Sequence, residues 1–267
     1  MAKMTFGLPG IDYTATASSE DSAHPATNLL KYATIHEDYR STVITAVNIV
    51  FDLGAAYSNV KLAMDGCNFT DFNLQANATD SWGSPTIDDD LTQIAKGWVQ
   101  PHPLISNIQH RYGYFWEPSG FTSLQYIRLA IDAQTPTDGA DHFRIGRIAI
   151  MQSSALLTLV QNPSWDVEEG SDSPTGKIEY PGGGSYYSEG DDLRWHGSIQ
   201  WNPFKKANIS DTQTLNSIPK DYPIVFFLNS SGNNEDFYFC RRESAFQFTH
   251  QSLNAGQITR VDFVEAL

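Results

Sequence analysis

Two neighbouring segments with alternating apolar residues constrain the fold most. In residues 47–53 and 60–65, apolar side chains recur at every second position, which places them on one face of a strand. We expect Gly54 to end the first strand and Asp65-Gly66 to break the second, because these residues favour turns. Together with the segment that runs to Trp82, they predict a meander of short strands within a β-sandwich. The predicted buried residues are Val47, Ile49, Phe51 and Leu53, followed by Val60, Leu62 and Met64.

Charge and hydropathy exclude several partners. The 267 residues include 17 Lys plus Arg against 31 Asp plus Glu, a net charge of -14. Nucleic acids and anionic membrane surfaces attract basic proteins, so neither is an expected partner. No apolar run approaches the ~18 residues that span a bilayer, and the N-terminus lacks an apolar signal core. We therefore expect neither membrane insertion nor secretion, and we expect Cys67 and Cys240 to be buried thiols.

The character of the chain changes after Met151. Short strands are predicted around residues 156–160, 193–201, 222–228, 237–241, 246–250 and 258–267, with a helix starting at Ser210. An acidic run at residues 166–175 resembles a linker, and Gly182–Gly184 is predicted to form the tip of a hairpin. We therefore predict an all-β chain of two domains, residues 1–151 and 152–267, with a short helix in the second. Its expected second core contains Trp195, Trp201, Phe226, Phe227, Phe237 and Phe239.

The chain shows no motif typical of catalysis or of a bound cofactor. It lacks a Gly-x-Ser-x-Gly elbow, a His-Glu-x-x-His pair and a phosphate-binding glycine loop, so we predict a non-enzymatic protein. Asp88–Asp90 could bind calcium or favour the start of a helix at residues 87–97, and we favour the helix. His102 and His110 lack further ligands at zinc spacing, so no metal site is predicted.

Residues 14–151 resemble a discoidin-type domain, the coagulation-factor C-type module with a galactose-binding-like β-sandwich. The resemblance lies in His24–Leu30, Tyr39–Ser41, Ile49–Gly54 and the two closing segments, 124–132 and 143–150. Lys31-Tyr32 replaces a frequent Asp-Gly, Tyr39 replaces a usual Trp, and the disulfide that often joins the domain ends is missing. The first difference weakens any calcium site that the resemblance would imply.

The resemblance implies ligand contacts on the loops at one end of the sandwich. Sugar rings stack on aromatic faces while amides and charges fix their hydroxyl groups. A core position is the alternative for each aromatic residue, and an ion pair with Glu37 or Asp38 is the alternative for Arg40. The candidate glycan contacts are His24, His36, Tyr39, Arg40, Trp82, Trp98, Tyr112 and Trp116.

The second half loosely resembles the C-terminal part of tailed-bacteriophage tail-tip proteins. The shared pattern is an acidic loop around Trp165, a strand at residues 193–201, a helix, a strand at 223–228 and a chain that ends on a strand. The resemblance implies a homo-oligomeric ring in the virion tail, assembled in the host cytoplasm with other tail proteins, and a first domain that decorates the ring or contacts host-surface carbohydrate. The alternative is a free carbohydrate-binding module or lectin.

Overall fold

The computed structural model describes residues 5–30, 38–91, 112–158, 168–172, 175–179, 185–189, 194–205, 209–220, 222, 224–227, 237–250 and 255–265. The strands before residue 153 are β1 (Thr5–Gly7), β2 (Thr14–Ala17), β3 (Tyr39–Arg40), β4 (Val47–Tyr57), β5 (Val60–Cys67), β6 (Phe72–Asn77), β7 (Ile87–Asp90), β8 (Tyr112–Trp116), β9 (Leu124–Ile131), β10 (Arg144–Ile145) and β11 (Arg147–Gln152). The later strands are β12 (Leu156–Thr158), β13 (Glu168–Asp172), β14 (Thr175–Glu179), β15 (Ser185–Glu189), β16 (Arg194–Lys205), β17 (Ile224–Phe227), β18 (Phe237–Arg242), β19 (Phe248–His250) and β20 (Ala255–Glu265). Helix α1 spans Ile209–Ser217, and 3-10 turns span Ala26–Leu30 and Ser153–Ala155. The predicted all-β class, with a β-sandwich and a short helix, is confirmed.

Two sheets form the sandwich of the first half. A five-stranded sheet has the order β2-β4-β9-β6-β7, and a three-stranded sheet has the order β11-β5-β8. Their inward side chains form one buried cluster, which includes the predicted residues of β4 and β5. The alternation in the sequence therefore identifies the inner face of one strand in each sheet. Burial of these aliphatic and aromatic side chains is the main stabilising term.

The predicted meander is wrong in its pairing. β4 and β6 both pair with β9, whereas β5 pairs with β8 and β11 in the other sheet. Gly54 does not end β4 but lies, at φ +71°, in an irregularity between Asp52 and Tyr57. Gly66, at φ +73°, lies in a second irregularity inside β5. Alternation shows which side chains are buried together, but it does not show which strands are neighbours.

The helix predicted at residues 87–97 is wrong where the structure describes it. Residues 87–90 form β7, which pairs antiparallel with β6. The acidic side chains of this strand accept hydrogen bonds instead of facing a helix terminus: Asp88 accepts from the amides of Asn73 and Gln75. Residues 92–97 lie outside the described part of the chain.

The second half is built on one large sheet that includes the N-terminal strand. Its order is β12-β1-β17-β18-β20-β16-β13, and β19 pairs with β20. Thr5–Gly7 is thus an interior strand of this sheet, between β12 and β17. The predicted boundary between residues 151 and 152 stays a prediction, but the hydrogen bonds group β1 with strands of the second half. The buried core of this sheet is formed by Phe6, Ile199, Leu215, Ile224, Tyr238, Cys240, Phe246, Val261 and Phe263.

Two sequence interpretations of residues 166–189 have different outcomes. The supposed acidic linker contains β13, which pairs with β16 from Glu168 to Asp172. Residues 182–184 lie outside the described part of the chain, but the strands on either side of them, β14 and β15, pair antiparallel with Glu179 opposite Ser185. The side chains of Trp195, Trp201, Phe226 and Phe227 lie outside the described part of the chain.

The three-stranded sheet is covered on its outer face as well. Ala63 alternates with the inner residues of β5, yet it is fully buried, because strands of the second half cover this face. The apolar cluster on this face consists of Ala63, Ala149, Met151, Val225, Phe237 and Phe239. Both Cys67 and Cys240 are buried thiols, and burial raises the pKa of Cys67. Phe237 and Phe239 are therefore core residues, as predicted, but they pack against the first half.

Candidate functional site

Three loop segments meet at one end of the sandwich, where β2 leads towards β3, β5 leads towards β6 and β9 leads towards β10. The backbone N–H of Arg40 donates to the carbonyl of His24 at 3.0 Å, and Asp21 N–H donates to the carbonyl of Arg40 at 2.8 Å. β3 pairs with β10, with Tyr39 opposite Ile145 and Arg40 opposite Arg144. Main-chain bonds thus fix the positions from which His24 and Arg40 project.

Asp38 orients both of these side chains. Its carboxylate is buried, with the residue 3% exposed, and its Oδ1 lies 2.6 Å from His24 Nδ1. Its Oδ2 accepts a hydrogen bond from Arg40 Nε at 3.0 Å. This 2.6 Å contact holds the His24 imidazole against the carboxylate through Nδ1 and leaves Nε2 as the second polar atom of the ring. We name this group, His24, Asp38 and Arg40, the loop-end cluster.

The loop-end cluster presents hydrogen-bonding groups rather than a chemical nucleophile. The Arg40 side chain is 36% exposed and the His24 side chain 24% exposed. Among the described residues, Asp38 contacts Arg40 at Nε, and the two terminal nitrogens of the guanidinium carry its further hydrogen-bond donors. His24 Nε2 and these nitrogens thus belong to two side chains that contact the same buried carboxylate. Two polar side chains placed in this way can hydrogen-bond hydroxyl groups of a ligand.

A second arginine on the paired strand extends this polar end. Arg144 lies opposite Arg40, and two like charges in this position repel each other. Each has its own carboxylate: Asp138 Oδ2 lies 3.7 Å from Arg144 NH2. The buried Asn68 connects the loops, because its amide donates to Asp138 and to the carbonyl of His142, while its Oδ1 accepts from Arg144 N–H at 2.7 Å.

Two predicted contacts, Tyr39 and Trp116, are core residues. Tyr39 is fully buried, and its hydroxyl donates to the carbonyl of Ser19 at 2.5 Å. Burial, with a contribution from Glu20, raises its pKa well above the usual range of a phenol. Trp116 is 2% exposed, and its indole N–H donates to Asp89 Oδ2 at 2.7 Å. Neither ring can offer a face to a ligand.

The other predicted contacts are not all brought together. Trp82 lies on the segment between β6 and β7, which leaves the sheet at the end opposite to the loop-end cluster. Tyr112 begins β8, and the structure describes only its backbone. His36 and Trp98 lie outside the described residues. The structure therefore joins His24 and Arg40, separates Trp82 from them and buries Tyr39 and Trp116.

Asp38 is the site residue that sequence reasoning underestimated. The sequence suggests Asp38 only as an alternative ion-pair partner of Arg40, because the burial of its carboxylate cannot be inferred from the sequence. The available signal was the position of Asp38 in the chain. Asp38 immediately precedes Tyr39-Arg40, which form β3, just as His24 precedes the turn at Ala26–Leu30. Asn68 and Arg144, which order the adjoining loops, carried no recognisable motif.

Metal binding and membrane insertion have no support in the described part of the chain. Among those residues, no group of three or more His, Cys, Asp or Glu side chains is placed to hold an ion. Asp88 and Asp89 accept hydrogen bonds from different partners, Asn73 and Gln75 for the first and Trp116 for the second. No described helix has the length and apolar character needed to cross a bilayer.

Comparisons with known proteins give structural neighbours alone. No protein-family model matches the chain, and no curated protein matches it. Among solved structures, it is similar to the lectin domain of Lectinolysin complexed with Lewis B antigen, at 10% identity and a TM-score of 0.38, over 52% of this chain and 92% of that chain. It is also similar to the family 32 CBM from C. perfringens NanJ in complex with galactose, at 14% identity and a TM-score of 0.38, over 55% and 98% of the two chains. A Streptococcus pneumoniae fucose binding module, SpX-3, matches at 6% identity and a TM-score of 0.37, over 53% and 95%. At these TM-scores, no inference about function is drawn from the likeness.

Proposed function

We propose that this chain is a non-catalytic carbohydrate-binding module that holds a glycan at the loop-end cluster. The observation that carries the proposal is the buried Asp38 carboxylate, which orients His24 and Arg40 side by side at the end of the sandwich. Sugar sites combine a few fixed polar groups with a shaped surface, and charged donors are oriented there by second partners. The discoidin-like resemblance of residues 14–151 predicts the same loops.

The ligand class follows from the groups that the cluster presents. Arg40 and His24 can bind neighbouring hydroxyls of one sugar, with the guanidinium donating and His24 Nε2 donating or accepting. Among the described residues, the side-chain polar contact of His24 is with the Asp38 carboxylate and not with a serine or cysteine nucleophile, so binding without turnover is the proposed activity. A role in a phage tail tip, with its ring and tail partners, stays a prediction of the sequence alone.

A glycan array followed by titration calorimetry on the best binder tests the proposal. We expect Arg40→Ala and His24→Ala each to weaken binding about tenfold or more, because each loses a hydrogen bond to a polar ligand group. Ser22→Ala is the matched control, since Ser22 is an exposed residue of the same loop. Thermal unfolding of each variant checks that the fold is intact. Unchanged affinity in both variants, with a bound glycan in hand, would exclude the loop-end cluster as its site.

A further inference from the structure

Trp82 is fixed in place on the outer face of the five-stranded sheet. Its indole N–H donates to Asp80 Oδ1 at 2.7 Å, and the guanidinium carbon of Arg128 lies 4.8 Å from the centroid of its ring. The side chain remains partly exposed. A cation stacked on one face of an indole leaves the opposite face for another partner. The ring is thus a supported aromatic platform rather than a core residue.

The strands beneath Trp82 carry a continuous row of polar groups. Arg128 on β9 lies opposite Gln75 on β6, which lies opposite Asp88 on β7. Arg128 Nε donates to Gln75 Oε1 at 2.6 Å, and Gln75 Nε2 donates to Asp88 Oδ1 at 2.8 Å. Asn73 donates to the same oxygen at 3.0 Å. These bonds fix the side chains before any ligand arrives, which lowers the entropic cost of binding.

The charges on this face disfavour an anionic ligand. Asp80 and Asp88 both act on Arg128, and burial lowers the pKa of that guanidinium while the two carboxylates oppose the decrease. The positive charge is therefore already balanced. Within residues 48–52, 73–77 and 126–130, Val50 and Ala130 are the aliphatic side chains that face outwards, too few for the apolar centre of a protein interface.

We propose that Trp82, with the Arg128–Gln75–Asp88 row beside it, forms a second subsite for a neutral sugar ring, separate from the loop-end cluster. The apolar face of the sugar stacks on the indole face opposite Arg128, and its hydroxyls donate to the exposed carboxylates of Asp80 and Asp88. This inference rests on the proposed function, because it takes the chain to be a glycan-binding protein. Two subsites on one chain would let it hold two units of the same polysaccharide, which raises avidity.

The test compares five proteins on an array of neutral and sialylated oligosaccharides, with calorimetry on every glycan that binds. They are the unsubstituted chain, Trp82→Ala, Trp82→Phe, the exposed-loop control Ser84→Ala and the loop-end double variant His24→Ala/Arg40→Ala. We expect Trp82→Ala to weaken at least one neutral glycan about tenfold, as loss of a stacking contact does. That glycan should still bind the double variant. Trp82→Phe should keep part of the affinity, which guards against a folding defect in the alanine variant.

Each other outcome overturns the second subsite in a distinguishable way. If Trp82→Ala matches Ser84→Ala on every glycan while the double variant loses binding, the second subsite fails and the proposed function stands. If Trp82→Ala weakens only glycans that the double variant also loses, the two groups form one site. If the unsubstituted chain binds no glycan, the second subsite and the proposed function fail together.

Discussion

Two arginines lie on opposite outer faces of the same sandwich and meet opposite environments. Arg128 projects from the five-stranded sheet, is partly exposed and stacks on Trp82 at 4.8 Å. Arg147 projects from the three-stranded sheet and is 1% exposed. Its guanidinium carbon lies 5.0 Å from the centroid of the Phe239 ring, and its Nη2 lies 3.1 Å from Asp65 Oδ2. Both combine a cation with an aromatic ring, but one pair faces solvent and the other lies between the two halves.

The neighbours of each arginine explain the difference. Around Arg147, small residues such as Ala63, Ala149 and Gly113 let the rings of the second half approach the sheet closely. Around Arg128, amides and carboxylates hydrogen-bond each other across the strands. A sheet face with small and apolar residues is covered, whereas a face with a self-satisfied polar row stays open. The comparison predicts large stability effects on the first face and small ones on the second.

The largest effect is expected from Phe239→Ala. The ring is buried among Ala63, Val225 and Phe237, and its removal leaves a cavity and uncovers Arg147. Truncation of a buried phenylalanine costs about 3–5 kcal/mol in the free energy of unfolding. Urea denaturation followed by circular dichroism measures it. Trp82→Ala on the open face is the counterpart and should cost less than about 1 kcal/mol; equal losses would show that the two faces are not energetically different.

Arg147→Ala should cost about 3 kcal/mol, because it leaves the carboxylate of Asp65 without its buried cation. The double variant Arg147→Met/Asp65→Leu separates this cost from lost packing. Since it removes both charges and keeps apolar volume, we expect it to regain most of the stability in the same urea titration. A double variant as unstable as Arg147→Ala would mean that the ion pair itself stabilises the contact, and that removal of the Asp65 charge does not offset its loss.

Gly113→Ala should cost about 1–3 kcal/mol through overpacking. An added Cβ would lie 3.2 Å from the carbonyl oxygen of Met64 and 3.2 Å from Phe237 Cζ. Gly83 is the matched control, because nothing lies within 4 Å of an added Cβ and its backbone is not in the left-handed region. The change in melting temperature, measured by thermal unfolding, should therefore differ in sign or size between Gly113→Ala and Gly83→Ala. A Gly113→Ala protein as stable as the parent would mean that the halves separate easily at this point.

Sequence reasoning succeeded where one side of a strand is buried within its own sandwich. Val47–Leu53 and Val60–Met64 were placed on the correct faces from their alternation alone. It failed for Ala63, whose burial depends on strands far away in sequence, and for the pairing of β4, β5 and β6. The spacing of Ile87 and Leu91 also fits a helix, but cross-strand bonds from Asp88 to β6 favour a strand. Local patterns do not contain these long-range partners.

The candidate site shows the same limit. His24 and Arg40 were predicted, and the structure places them on one carboxylate. Tyr39 was predicted beside Arg40, but successive residues of a strand point to opposite faces, so a solvent-facing Arg40 turns Tyr39 into the core. The separation of Trp82 from this end follows from the direction of β6, which begins opposite Ile131 and ends opposite Tyr126, and no motif in the sequence specifies this pairing.

Arg128→Ala on the open face should cost less than the changes to Phe239 and Arg147 on the covered face. It removes the hydrogen bond to Gln75 and the cation above Trp82, and each such contact contributes about 1 kcal/mol or less at a partly exposed site. Gln75 is 6% exposed, so the loss should be measurable, but it should stay well below that of Arg147→Ala. Arg128→Lys keeps the charge but not the planar stacking, and its free energy of unfolding should fall between those of Arg128→Ala and the parent.

Urea titrations in low and in 0.5 M salt provide the decisive measurement, since screening weakens the attraction of Asp80 and Asp88 for Arg128 but not the contact with the indole. A loss as large as that of Arg147→Ala would place Arg128 in a structural role, and Trp82 would then be its cover rather than an open platform.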